Sequence, residues 1–210
     1  ARIENDEIAT ALKRTGLPVV DVSAARHLKN IPWVETDDEA IARLAVQHLS
    51  ERGFQKFAFY GDTTFNWAIW RKQNFERLVS EAGGECFVHD AISRHDQQYS
   101  WDREKDALAH WLAGLPRPIG IMACYDIQAQ KLLDVCREQN IAVPEEVAVL
   151  GVDNDLLICD LASPRLSSVI CNTKRTGFEA ASLLDRMMAG EKVGSQSILV
   201  QPLGVETRQS

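Results

Sequence analysis

No stretch of this chain approaches the roughly 20 continuous apolar residues that a membrane-spanning helix needs. Its opening, Ala1-Arg2-Ile3-Glu4-Asn5-Asp6, lacks the pattern of a secretory leader. It also lacks a methionine, which implies a fragment whose true beginning is missing. There is no run of lysine or arginine, and a formal net charge of -7 makes this piece a poor surface for nucleic acid. The five cysteines (Cys86, Cys124, Cys136, Cys159 and Cys171) are odd in number and scattered, with no C-x-x-C pair. Three lie in apolar runs, which suits reduced, buried thiols in a cytoplasmic protein. Cys and His do not cluster, so no metal and no cofactor is expected. A phosphate-binding glycine loop, a G-x-S-x-G elbow and an H-E-x-x-H pair are all missing. His27, His48, His89, His95 and His110 sit in unrelated contexts, and no pair of carboxylates can be placed in catalytic geometry. Enzyme readings therefore have little to stand on.

What is present is an ordinary globular composition, 45% hydrophobic and 25% charged over 210 residues, enough for one large domain or two small ones. Ile141 to Asn154 is the most informative stretch. Asn140 can end a helix and Pro144 forbids its continuation. Val147 to Val152 is then a short valine-rich run, the pattern of a parallel strand buried on both faces. It ends at Gly151-Val152-Asp153-Asn154, and in open α/β sheets the carboxyl edge is where ligands sit. A carboxylate there can equally cap the next segment.

Elsewhere, helical periodicity and breakers predict a short helix ending at Gly16-Leu17-Pro18 and helices over 39–52, 67–82, 101–113, up to Gln139 and 173–189. Strands are predicted at Val19 to Val22, Lys56 to Tyr60, Cys86 to Val88, Ile119 to Cys124 and Leu166 to Ile170, with extended segments at 198–200 and 204–206. Ser93 to Ser100 reads as a polar loop. The first strand, the 39–52 helix and the second strand would form a right-handed parallel crossover. The alternation is that of a doubly wound α/β protein. Boundaries at Gly61 to Asn66, Ser163 to Ser168 and Gly194 to Ser197 imply two subdomains joined by a multi-strand hinge.

Three ordered motifs carry a family likeness. V-P-E-E-V-A-V-L-G-V-D-N at Val143 to Asn154, A-x-x-H-L-S-E-R-G-F-Q-K-F-A-F-Y-G at Ala45 to Gly61, and P-R-L-S-S-V at Pro164 to Val169 resemble lactose-repressor-type (LacI/GalR) sugar regulators. The resemblance runs from about Pro18 to Arg208. F-A-F-Y-G followed by Trp67, Arg71 and Phe75 is most similar to the xylose-responsive branch, in which a sugar-binding core precedes an AraC-type helix-turn-helix domain. The ending G-V-E-T-R-Q-S resembles the last strand before that domain. The resemblance implies a periplasmic-binding-protein-like fold of type I. Residues 1–62 and 171–195 would form part of an N-terminal subdomain, and 63–170 with 196–210 the C-terminal one. The family's opening strand-helix-strand-helix-strand is incomplete in this chain, and no helix-turn-helix is present.

The resemblance also nominates ligand-binding residues. Arg71, in R-x-x-x-F, would hydrogen-bond sugar hydroxyls or a carboxylate through its planar fork, where an arbitrary helix arginine is simply solvated. Asp153 would accept from adjacent hydroxyls, or else cap. Asp126 reads as a helix cap worth roughly 1 kcal/mol, and Tyr125 takes the place of a polar ligand contact. Tyr99 would offer a ring to the sugar's C–H face, unless Trp101 does so or both merely pack. Trp67, one turn before Arg71, is the pocket residue of the pair with Trp70, which reads as core. Together these imply a cytoplasmic, xylose-like sugar effector domain that closes about its hinge and acts on DNA through a domain outside this chain. It would act as a homodimer using helices such as 39–52, and xylose would activate by reorienting that dimer. A periplasmic transporter protein of this fold and a sugar- or nucleoside-processing enzyme are the rival readings.

Overall fold

The computed structural model describes residues 3, 5–92, 96–97 and 99–210, so part of the predicted 93–100 loop, with His95, lies outside the described residues. In chain order the elements are α1 (Asp6–Thr15), β1 (Trp33–Thr36), α2 (Asp38–Glu51), β2 (Phe57–Gly61), α3 (Asn66–Glu81), β3 (Cys86–Asp90), α4 (Trp101–Ala113) and β4 (Ile119–Ala123). They continue as α5 (Asp126–Glu138), β5 (Val147–Val152), α6 (Leu156–Leu161), β6 (Ser167–Ile170), α7 (Thr173–Met188), β7 (Ser197–Val200) and β8 (Gly204–Glu206).

The larger of two units comprises Asp38–Cys171 and Leu203–Ser210. Its six-stranded sheet has the order β3-β2-β4-β5-β6-β8, parallel except for β8, which runs antiparallel to β6. Alternation along each strand decides which face a side chain serves. Phe57 and Phe59 of β2 join Met122, Ala148, Leu150 and Val152 under α2 and α3, with Ile41, Ala45, Leu49, Phe75 and Val79. Ala58 and Tyr60 join Ile119, Ile121, Val147 and Val149 under α4 and α5, with Leu108, Leu112, Leu132 and Cys136. The parallel strands read as nearly unbroken apolar runs because both faces are covered. Phe75 is fully buried, which contributes roughly 2–3 kcal/mol. Asn140, left-handed at φ +55, turns the chain away after α5.

The smaller unit, Ala1–Asp37 and Asn172–Pro202, contains a two-stranded parallel pair, β1 with β7, and α7. Val20, Val34, Leu183, Val193 and Val200 form its core. Helix α1 is capped by the Asn5 side chain, which accepts from the Ile8 N–H at 2.9 Å, and Gly16 ends it at φ +67.

Several sequence expectations are corrected. Val19 to Val22 makes only an isolated bridge, Asp21 to Trp33, and the strand of that region is β1. β1 and β2 lie in different sheets, so the strands flanking α2 are not a crossover within one sheet. Residues 38–62 fall in the larger unit, not with 1–37, because β2 is hydrogen-bonded between β3 and β4 and α2 supplies part of its core. The chain passes between units at 37/38, 171/172 and 202/203, which sends β7 and β8 to different units. Helix α6 was not expected; the Asp155 carboxylate caps it, accepting from the N–H groups of Leu157 and Ile158 at 3.0 and 3.3 Å.

Candidate functional site

From β2 the chain goes through α3 to β3 on one side, while β4 lies on the other side of β2. The carboxyl ends of β2 and β4 therefore flank the sheet's topological switch point, where connections diverge and leave a crevice. Gly61 and Asp62 follow one strand, Cys124 and Tyr125 the other, and α3 and α5 begin beside them.

Arg71 comes off the second turn of α3 and is 5% exposed. Its Nε donates to Oδ1 of Asp38 at 2.6 Å, and its Nη1 donates to the Cys124 carbonyl at 2.7 Å. Its Cζ lies 4.6 Å from the Trp67 ring centroid. Burial opposes the charge, but Asp38 and Asp153 outweigh it and hold the guanidinium above its ordinary pKa. The reading of a solvated helix arginine is thereby set aside. Nη2 has no hydrogen bond to a protein acceptor among the described residues. A guanidinium locked through two of its nitrogens presents the third in a fixed direction.

Trp67 stacks on Phe65 at 5.0 Å and meets Tyr125 edge-on at 5.5 Å, and all three rings are half-buried. They form an apolar wedge beside the guanidinium. Trp70 is half-buried and in none of the core clusters, unlike its expected place.

Asp153 follows β5 with φ +108, a region that residues with a Cβ rarely adopt, and Asn154 is left-handed at φ +54. The Cys171 thiol donates to Oδ1 of Asp153 at 3.5 Å. The Asp153 side chain reaches solvent. Surrounding protein raises its pKa above the ordinary carboxylate value, while Arg71 pulls the other way. Asn154 buries its Oδ1 with no hydrogen-bond partner among the described residues.

Asp126 is turned inward, 1% exposed. Its Oδ1 accepts from the Ser168 hydroxyl at 2.6 Å, and its Oδ2 from the Asp155 N–H at 2.8 Å and the Cys159 thiol at 3.5 Å. It makes no cap bond to α5, whose N-cap is Tyr125, so the expected capping role is replaced by a tie to β6 and the turn after β5. Burial pushes its carboxyl up to about 6, against the pull of these donors. Gly151 makes the approach possible, because a Cβ there would collide with Oδ1 of Asp126.

Tyr99 is half-buried, and its backbone N–H bonds the Asp96 carbonyl at 3.0 Å. Among the described residues no hydrogen bond or ring contact joins its side chain to Trp67, Arg71 or Asp153. Trp101, its alternative, lies with its ring centroid 5.5 Å from the Lys131 Nζ. So the structure brings together Trp67, Arg71, Tyr125 and Asp153, and it holds Asp126 behind them.

Residues that the sequence did not nominate complete the edge. Asp38 anchors Arg71. Asp62 is 7% exposed at the end of β2 and accepts from the Thr64 N–H at 2.9 Å. Asp90 at the end of β3 pairs with Lys72 at 2.6 Å. Only Asp62 and Asp90 had a signal available, as carboxylates just where predicted strands give out. A separate concavity of about 370 Å³ on α1 is lined by Asp6, Glu7, Thr10, Ala11 and Arg14, and Asp6 there bonds the His27 ring at 2.9 Å. A fixed cationic donor, a solvent-facing carboxylate and an aromatic wedge suit a small polyhydroxylated ligand better than they suit covalent chemistry.

Comparison with known proteins agrees with this architecture. Residues 46–210 match the family model described as a periplasmic binding protein-like domain. The xylose operon regulatory protein of Haemophilus influenzae is 35% identical over 217 residues, covering 100% of this chain and 56% of that protein. Its counterpart in Escherichia coli K12 is 34% identical, covering 100% and 55%. The chain thus spans about half the length of the curated relatives it matches. Among solved structures, a xylose-binding transcription activator aligns with a TM-score of 0.88 at 34% identity, over 99% of this chain and 56% of that one. A transcriptional regulator in complex with cellobiose aligns at 0.80 and 24% identity, over 98% and 62%, a likeness of fold alone.

Proposed function

The chain belongs to the periplasmic-binding-protein-like family, and from that premise we propose that it is the sugar-sensing part of a transcription regulator. The observation that carries this reading is a half-committed Arg71 at the switch point, within electrostatic reach of a solvent-facing Asp153 after the neighbouring β5 and beside Trp67 and Tyr125. A sugar presents hydroxyls that both donate and accept, and one apolar C–H face. Nη2 of Arg71 donates to one hydroxyl, the Asp153 carboxylate accepts from adjacent ones, and the Trp67 ring covers the C–H face. Tyr125 adds a hydroxyl at the rim, Tyr99 closes from the segment after β3, and Asp126 supports the frame.

The xylose-related names of two curated relatives and one solved structure support a pentose of the xylose type. Output goes to DNA through an attached helix-turn-helix domain outside this chain, in a homodimer, in the cytoplasm. The five free thiols fit that compartment. A ligand biases such a protein only through unequal affinity for its states, and the three chain crossings between units are where that change is taken up.

Isothermal calorimetry with D-xylose, other pentoses and hexoses tests the reading. Asp153→Ala and Arg71→Ala should each weaken binding of the preferred sugar by about tenfold to a hundredfold, as expected for truncating one partner of a buried charged hydrogen bond. Full affinity in both variants would place the ligand elsewhere, and no binding of any sugar by the unaltered protein would sink the sensor reading.

A further inference from the structure

Three consecutive backbone N–H groups follow β5, and each is fastened to a different partner. Asp153 donates to the Val169 carbonyl at 3.0 Å, Asn154 to the Ser168 hydroxyl oxygen at 3.0 Å, and Asp155 to Oδ2 of Asp126 at 2.8 Å. The same Ser168 hydroxyl donates its own proton to Oδ1 of Asp126 at 2.6 Å. Ser168 is fully buried and Asp126 is 1% exposed, so this network is shielded from competing water. The turn it holds carries Asp153 at φ +108 and Asn154 at φ +54. Two successive non-glycine residues with positive φ are strained and persist only where surrounding bonds over-determine them.

We propose that Asp126 and Ser168 are the positioning residues of the site. They clamp the strained turn after β5 and so aim the Asp153 carboxylate at the ligand. The inference rests on reading Asp153 as the ligand's acceptor. Val169 supplies only a strand carbonyl that any residue would offer, whereas the clamp at Asn154 and Asp155 is made by two particular side chains. Gly151 belongs to the same device, since a side chain there would drive Asp126 off β5. The ionised form of Asp126 is the one that accepts from both donors. Its burial makes that form costly, and its protonation removes an acceptor from the clamp. The groups facing it are Asp153 and Asp155 on the turn, Cys159 on α6 and Ser168 on β6, with Arg208 beyond the Cys159 thiol.

The test is a double-mutant cycle read by calorimetry with D-xylose and a panel of pentoses and hexoses, on protein whose folding is checked by circular dichroism. Ser168→Ala, which deletes the hydroxyl, should weaken binding about tenfold, and Asp126→Asn, which keeps the shape, by a similar factor. Neither change should weaken binding further in an Asp153→Ala background, because a residue that acts through Asp153 has nothing left to aim. Lowering the pH through about 6 should weaken binding in the unaltered protein more than in Asp126→Asn. Amide hydrogen exchange gives a readout that needs no ligand: the Asn154 N–H should lose protection in Ser168→Ala and the Asp155 N–H in Asp126→Asn. Additive losses with Asp153→Ala, or unchanged amide protection, would overturn the clamp while leaving the sugar site standing. Failure of every sugar to bind the unaltered protein would overturn the site reading and the clamp with it.

Discussion

At the scale of single residues, burial opposes the charge of Asp126 and of His48. Asp126 is raised by burial from 3.8 to about 6. Its contribution to stability is therefore fully present below 3.8 and is lost as pH rises through 6. His48, 6% exposed and close to Arg52, is lowered from 6.5 to about 4, mainly by burial. Its contribution is present above 6.5 and lost as pH falls through 4. The two oppose each other over nearly the same window. Urea unfolding at pH 7 and pH 4.5 should separate them: relative to the unaltered protein, Asp126→Asn should lose more stability on acidification and His48→Leu less, each by on the order of 1–2 kcal/mol. Slopes of the reverse sign would show that these side chains are not buried as described. Legibility at this scale was uneven. The places of Asp153 and Arg71 in the fold could be read because a strand end and a helix start are local patterns, while the roles proposed for them came from the family likeness. Asp38, Ser168 and Cys171 could not, since each matters through a partner far along the chain, as Arg71 is to Asp38 or Asp126 to Ser168.

At the scale of elements, α3 links core and site. Phe75 packs against the rings of Phe57 and Phe59 at 6.5 and 5.8 Å, and the same helix carries Trp67 and Arg71. Phe75→Ala should cost about 3–5 kcal/mol of unfolding free energy in urea titration, and the loosened helix should also weaken sugar binding. Loss of stability with wholly unchanged affinity would mean that α3 does not transmit its packing to the site. Helices α2 to α5 and strands β2 to β6 were legible because periods of 3.6 and unbroken valine-rich runs are written locally. β1 was missed because Trp-Val-Glu-Thr has little apolar character, and its partner β7 lies far along the chain. The predicted strand at Val19 to Val22 has β-forming residues but finds no ladder beyond one bridge. Propensity without a partner makes no strand. Helix α6 escaped notice because six residues are too few to show a period, and its only sign was the Asp155 cap.

At the scale of the molecule, the larger unit is not one stretch of chain. Its last piece, Leu203–Ser210, returns to it after the chain has passed through the smaller unit. That piece supplies β8 and a row of ties: the Ser210 hydroxyl accepts from the Ser167 N–H at 2.8 Å and donates to the Val149 carbonyl at 2.6 Å, and Arg208 bonds the Leu166 carbonyl at 2.8 Å and Asp160 at 3.1 Å. Ser210→Ala combined with Arg208→Ala removes these four hydrogen bonds and should lower the unfolding midpoint by several degrees in a calorimetric scan. An unchanged midpoint would make these ties dispensable. The order of synthesis follows from the same layout. While a ribosome has delivered only residues up to about 200, β6 is an uncovered margin of the sheet, offering unpaired N–H and C=O groups to any neighbouring nascent chain. Leu203–Ser210 closes that margin and ties down the strand that carries Ser168. The sheet that frames the candidate site is therefore completed only after the chain has passed through the smaller unit and come back.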